Sequence, residues 1–208
     1  MDALIGDSEG EISETRQELI EATREALCKH GFADLTMQAI ADESEKSKAA
    51  LHYHFDTKEE LLAETLSYLL AEFIAEVDAS AGDDPEARLR TLVEAQLFGP
   101  DGRDSDSDGH WEYHAMLLEI QSHAPHNETF KEQFTANYDH VRQLYIDIIE
   151  DGIEQGVFEP VDADRTAAHI MAMIKGARVN HVATEREDIA ETVHDALHEQ
   201  VFEPLLAE

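Results

Sequence analysis

Apolar residues recur at helical spacing along most of the chain, and polar punctuation cuts the pattern into segments. Leu19, Ile20, Thr23 and Leu27 form one stripe on a helix that Thr15 and Glu18 open as a capping box and Gly31 closes. Phe32 and Leu35 help to close a small helical head. Thr36 caps a short helix whose buried side is Ile40 and Ala41, and Ser44, Glu45 and Lys46 interrupt the pattern as a turn. Ser47 caps a second short helix with Leu51 and Phe55 inside and Lys48, His52 and Tyr53 around the other sides. Thr57 and Glu60 form a further capping box, and a long helix follows through Leu62, Leu66, Leu69, Leu70, Phe73 and Val77 to Gly82. Leu61 and Leu62 belong to the head, while Leu66 to Val77 wall a second domain on the same rod.

The remaining pattern is also helical. Asp84-Pro85-Glu86 starts a helix carrying Leu89, Leu92, Val93 and Leu97. Gly99 to Gly109 is a polar, solvated loop; its aspartates alternate, but the ordered spacing and terminal glutamate of a calcium loop are absent. His110 to Ser122 is apolar on several sides (Trp111, Met116, Leu117, Leu118, Ile120), as in a helix with neighbours on more than one side. Asn127 caps a long helix with the seam Phe130, Phe134, Asn137, Val141, Leu144, Ile148, ending near Gly152 or Gly156 before a packed corner at Val157 to Pro160. Two more helices start at Asp164 (Ala167, Ile170, Met171, Ile174, Ala177, His181) and near Glu187 (Ile189, Val193, Leu197, Val201).

The expected fold is all-α with about nine helices. Residues 1–12 form a disordered leader, 13–56 a three-helix helix-turn-helix head, and 57–208 a second helical domain. A helix, a tight turn and a second helix with a polar, basic outer face describe a reader of the DNA major groove. At G31-F32, I40-A41, S47-K48, L51-H52-Y53-H54-F55 and K58-E59-E60-L61-L62 the chain resembles the TetR family of tetracycline-repressor-like regulators. The resemblance covers roughly residues 14–62. Glu45 and Lys46 stand where the family has a glycine and a small apolar residue, Ala49 where it has glycine, and His52 where tyrosine is commoner. A left-handed Glu45 would cost about 1–2 kcal/mol.

The resemblance implies a DNA-binding domain followed by a ligand-binding and dimerisation domain, with no enzymatic activity. It implies a homodimer through the last two main helices, whose heads meet successive major grooves of a pseudo-palindromic double-stranded operator. A small-molecule effector held among the middle helices then tilts the helix from Thr57. Lys48, Ala49 and Ala50 approach the bases, and Lys46 belongs to the same DNA-binding set. Thr36, Gln38, Ser47, His52, Tyr53, His54 and Lys58 hold phosphates or neighbouring edges; for Tyr53 and His54 the competing reading is packing against the long helix. The GIEQGVFEPVD stretch is similar to the subgroup containing the choline-responsive regulators, yet the sequence offers no identifiable aromatic cage for a cation.

Charge changes the picture. The formal net charge is −32, from 15 Lys and Arg against 47 Asp and Glu. Nucleic-acid binders are usually basic. Here the exception is local, because Lys46, Lys48 and Lys58 fall in a stretch holding one acid, Asp56. A chain this acidic without an acidic tail suits molar intracellular salt, where the Debye length is about 3 Å. Counterion release contributes little there, so operator binding should be indifferent to KCl or favoured by it. No apolar run spans a membrane, and the acidic start is no signal peptide. The single Cys28, read as buried or half-buried, forms no internal disulfide and fits a reducing cytoplasm.

Other chemistry is sparse. No Ser-His, Cys-His or metal triplet and no phosphate-cradling glycine loop has recognisable spacing. His110 and His114 stand four apart, a spacing that suits a metal pair, but no third ligand is identifiable; His114 beside Trp111 reads first as a satisfied structural histidine and second as a pocket wall. His194 and His198 read as surface residues. Asn137, in a hydrophobic seam, needs an internal partner, water or a ligand. No metal or cofactor is expected. Phe98, Trp111, His114, Met116, Asn137, Tyr138 and Ile174 are the candidate walls of a mostly apolar effector cavity. The competing reading is a helical interaction protein that has lost operator binding.

Overall fold

Helices begin where short polar side chains can accept from backbone N–H groups that the helix leaves unpaired. The computed structural model describes residues 14–44, 46–99 and 108–207. The leader, the Glu45 conformation and most of the 99–109 loop lie outside these. The helices are α1 (Glu14–Asp34), α2 (Met37–Glu43), α3 (Lys48–His54), α4 (Lys58–Ala81), α5 (Pro85–Phe98), α6 (Asp108–His123), α7 (Glu128–Glu154), α8 (Ala163–Thr184), α9 (Ile189–Leu197) and a short α10 (Glu203–Leu205). A 3-10 turn, Ala124–His126, precedes α7, and a π turn, His198–Phe202, joins α9 to α10. Among the described residues the only extended pairing is one bridge between Phe158 and Leu206. None of their helices is long and apolar enough to cross a membrane.

Most expected caps are present. Thr36 Oγ1 accepts from Ala39 N at 3.1 Å, Ser47 Oγ from Ala50 N at 3.2 Å, Asp84 from Ala87 N at 2.8 Å and Asn127 from Phe130 N at 3.1 Å. The box at α4 is complete: Glu60 N donates to Thr57 Oγ1 at 3.1 Å, and Glu60 Oε2 accepts from Thr57 N at 3.4 Å and also from Asp56 N at 3.0 Å. Thr15 is an exception. The helix is already running at Glu14, so Thr15 lies inside its first turn. Gly31 (φ 69°) kinks α1 where the sequence ends it. α8 starts at Ala163 with Asp162 as cap, ahead of Asp164, and α9 starts at Ile189, just beyond Glu187.

The chain forms two compact units: Met1–Ala71 with Met116–Asn137, and Glu72–Ala115 with Tyr138–Glu208. This division does not follow the 56/57 boundary, because α4, α6 and α7 each begin in one unit and end in the other. The first unit's core is built from Leu19, Leu27, Phe32, Leu35, Ile40, Leu51, Phe55, Leu61 and Leu62, joined by Ile120 and Phe130. Leu66 belongs to this core, so the handover along α4 comes later than its apolar stripe suggests; Phe73 and Val77 pack in the second unit. Arg16 fixes α1 to α4, its Nε donating to Glu64 Oε1 at 2.8 Å while its guanidinium lies 4.9 Å from the Phe55 ring. Cys28 is exposed, on the outer side of α1 from Leu27.

The second unit's core gathers Leu89, Leu92, Val93, Leu97, Tyr145, Ile148, Ile170, Ile174, Ala177, Leu197 and Phe202. A close approach occurs at Gly152, whose carbonyl accepts from Val157 N at 2.9 Å and Phe158 N at 3.0 Å. The chain folds back so closely that a Cβ on Gly152 would lie 2.0 Å from the Phe158 ring. His194 is buried beside Phe98 (5.8 Å between centroids) with Glu94 at 3.5 Å, so it is no surface residue. A histidine on the apolar side of so amphipathic a helix is drawn inward with it.

Candidate nucleic-acid interface and effector site

In the first unit, α2 and α3 are short helices whose inner residues leave no choice about which side faces out. Leu51 and Phe55 are buried in the head, so Ser47, Lys48, Ala49, His52 and Tyr53 are exposed together. Tyr53 is 86% exposed, and His54 meets its ring edge at 5.2 Å. Tyr53 therefore presents its ring to solvent and not to the core of the head. Lys48 has no acidic partner among the described residues. Ala50 is half-buried behind it.

The other candidates are partly committed. Lys46 Nζ lies 2.8 Å from Glu18 Oε2. Lys58 Nζ donates to the Leu35 carbonyl at 2.9 Å and sits 4.9 Å from the Phe32 ring centroid. Gln38 donates to Asp42 Oδ1 at 2.7 Å on the exposed side of α2, and the Thr36 hydroxyl is used as a cap. Thus α3 brings together Ser47, Lys48, Ala49, His52 and Tyr53, while Lys46 and Lys58 begin with partners inside the head.

The second unit holds a different constellation. His110, Trp111, Tyr113 and His114 lie on α6, Gln96 on α5, Tyr145 on α7, and Arg178 and His181 on α8. Trp111 stacks on His181 with centroids 3.4 Å apart and planes 11° from parallel. His110 meets His114 edge to face at 4.4 Å and Trp111 at 5.0 Å. Arg178 donates through Nε at 2.8 Å and Nη2 at 2.5 Å to the Gln96 carbonyl, in the last turn of α5, where a cation suits the helix dipole. Tyr145 Oη donates to Gln96 Oε1 at 3.3 Å. Two buried nitrogens, His110 Nε2 and His181 Nδ1, have no hydrogen-bond partner among the described residues.

Electrostatics here follow from burial. Desolvation lowers Arg178 to about 10, with Tyr145 and Tyr113 opposing the shift. His110 is lowered to about 4 by desolvation first and the Arg178 charge second, against a hydrogen bond to the Leu97 backbone. His114 is pushed far down by the same causes, and burial raises Tyr113 to about 12. Among the described residues the site therefore sets the Arg178 guanidinium beside the neutral imidazoles of His110 and His114 and the neutral phenols of Tyr113 and Tyr145.

Of the expected cavity residues, Phe98, Trp111 and Ile174 pack in the second unit's core beside His114. Tyr138 is 47% exposed. Met116 packs against the first unit's core, and half-buried Asn137, also in that unit, accepts from Gln133 at 2.7 Å. Arg178, Tyr113, Gln96 and Tyr145 escape a reading based on apolar stripes. A signal for Arg178 exists: it lies four after Ile174 and three before His181, a charge within the inward stripe of α8.

Residues 85–201 match the family described as BetI-type transcriptional repressor, C-terminal, and residues 19–65 match the bacterial regulatory proteins of the tetR family. The chain is 38% identical to a TetR transcription regulator from Haloarcula marismortui ATCC 43049 of known crystal structure; the match covers 93% of this chain and 99% of that one, with a TM-score of 0.80. It is 27% identical over 163 residues to the HTH-type transcriptional repressor KstR2 of Mycobacterium tuberculosis, covering 74% of this chain and 75% of the relative. A transcriptional regulator from Saccharomonospora viridis, solved in complex with choline, shares the fold at 24% identity and a TM-score of 0.74, covering 94% of this chain and all of that one (100%).

Proposed function

The chain belongs to the TetR family of DNA-binding transcriptional regulators, and from that premise we propose that it is a cytoplasmic repressor released from its operator by a small molecule. The observation that carries the DNA-reading assignment is α3. Its cap and its two buried residues, Leu51 and Phe55, orient Ser47, Lys48, Ala49, His52 and Tyr53 outward as one polar edge. A helix presented this way enters the major groove by its N-terminal residues. Lys48 with Ala49 and Ala50 approach the bases; Thr36, Gln38, Ser47, His52, Tyr53 and His54 hold the backbone and neighbouring edges. Lys46 and Lys58 exchange or extend their internal contacts on binding.

Two heads are needed to occupy successive grooves, about 34 Å apart on a pseudo-palindromic site. The paired surface is α8 and α9, where Met171, Met173 and Val179 remain half-exposed on α8. The effector sits in the second unit, around His110, Trp111 and His114. These residues share α6 with Met116, Leu117 and Ile120, which pack in the first unit's core. A guest that shifts α6 or the continuous α4 thereby changes the heads. Switching occupancy fully requires a differential affinity of roughly 5 kcal/mol between the two arrangements.

The acidic surface is read as adaptation to molar salt. The alternative, an interaction protein without an operator, draws on the internal engagement of Lys46 and Lys58. Selection of duplexes from a random pool at high KCl, followed by footprinting, separates the two. Recovery of a two-half-site sequence supports the repressor, and failure to enrich any duplex supports the alternative.

A further inference from the structure

The repressor reading leaves the effector's chemistry open, and the Arg178 constellation speaks to it. A guanidinium has five N–H donors. The Gln96 carbonyl takes two of them, and no acid pairs with Arg178 among the described residues. Its charge bears on His110, His114, Tyr113 and Tyr145, none of which is anionic. Arg178 is half-buried, and a charge drawn even partly out of water is costly unless it is paired. The helix dipole of α5 offsets part of that cost and leaves three donors unused.

Two further buried atoms have no partner among the described residues. His181 Nδ1 lies on the ring that stacks with Trp111, and His110 Nε2 belongs to a ring whose other nitrogen is held by the Leu97 backbone. The first can donate; the second, in the neutral ring, accepts. Unpaired buried polar atoms are rare enough in folded proteins that two of them beside an unpaired cation mark a place for a polar guest.

We propose that this site binds a small organic carboxylate, its oxyanion taken by Arg178 and His181, with a hydroxyl on the guest donating to His110 Nε2 and its body against Trp111. The inference rests on the ligand-responsive reading and gives the ligand class. It runs against a quaternary ammonium guest, which needs open aromatic faces. One face of Trp111 is covered by His181, and the nearby fixed charge is positive.

The chain's single tryptophan stands in the site, so its fluorescence reports occupancy directly. The full-length protein is titrated with benzoate, the three hydroxybenzoates, and choline as the cationic probe. Saturable changes with the carboxylates and none with choline are expected, with at least one hydroxybenzoate binding more tightly than benzoate. Arg178→Gln should weaken carboxylate binding roughly 10- to 100-fold, and Arg178→Lys should retain part of it. His110→Phe should abolish the hydroxyl's advantage. Saturable choline binding, carboxylate binding unchanged in Arg178→Gln, or no response to any carboxylate would each overturn the assignment. Equal affinity for benzoate and all its hydroxy derivatives overturns the role of His110. Should Arg178→Gln fail to fold, Arg178→Lys and His110→Phe still decide. Retention of a selected duplex by the unliganded protein is measured in parallel. Its failure counts against the repressor reading, whereas its success without carboxylate binding counts against this inference alone.

Discussion

Replacing Gly152 by alanine adds one methyl group where the second unit has no room for it. The new Cβ would stand 2.0, 2.4 and 2.8 Å from three carbons of the Phe158 ring, against an ordinary separation of about 3.5–4.0 Å. Phe158 is 3% exposed, and its own N–H is bound to the Gly152 carbonyl at 3.0 Å, so ring and backbone cannot separate freely. Moving a packed ring this far costs about 1–3 kcal/mol. The gain from alanine in a helix is at most about 1 kcal/mol and smaller in the last turn. The expected result is a net loss of about 0.5–2.5 kcal/mol, a fall in Tm of about 2–4 °C for each kcal/mol. A double-mutant cycle isolates the cause. Phe158→Leu shrinks the obstructing ring, so Gly152→Ala with Phe158→Leu should be less damaging than the sum of the two, by about 0.5–3 kcal/mol. Thermal and urea unfolding of the four proteins measures this. Additive losses, or a Gly152→Ala protein as stable as wild type, would refute the close-approach argument.

Other expectations follow from the caps, the buried histidines and the charge. Ser47→Ala removes the acceptor for Ala50 N and should cost about 0.5–2 kcal/mol of head stability, seen as faster amide exchange in α3; unchanged exchange contradicts the cap's role. An unfolded histidine binds a proton below about pH 6.5, whereas folded His110 stays neutral down to about 4. The unfolded state therefore holds more protons between those values, and wild type should lose stability relative to His110→Leu as pH falls through that window. The slope is at most about 1.4 kcal/mol per pH unit, and parallel pH profiles would remove the claim that His110 is buried neutral. Operator affinity should stay level or rise with KCl over the range in which the protein remains folded. A steep log–log loss with a slope of several units would show ordinary lysine-driven counterion release instead.

The head was legible because its signals are local. Thr36, Ser47, Thr57 and Glu60 act on backbone groups within four residues, so their spacing alone specifies the turns between helices. Thr15 misled for the same reason: a capping pattern looks identical inside a helix that starts a residue earlier. The second unit was less legible because its polar contacts span the sequence. Arg178 reaches Gln96 across 82 positions and Tyr145 reaches it across 49, and no periodicity announces such pairs. Apolar stripes also cannot say which core a residue joins. Leu66 and Met116 carry the right hydrophobicity for either unit, and only the folded chain assigns them to the first.

The central claim is that Lys48 and Tyr53 on α3 read duplex DNA. Hydroxyl-radical footprinting of wild type and the Lys48→Ala, Tyr53→Ala double variant on a selected duplex tests it most directly, with circular dichroism and sedimentation confirming fold and assembly. Wild type should protect two patches about one helical turn apart, and the folded variant should protect neither. Equal protection by the variant, or a single patch from a wild-type monomer, would contradict the account.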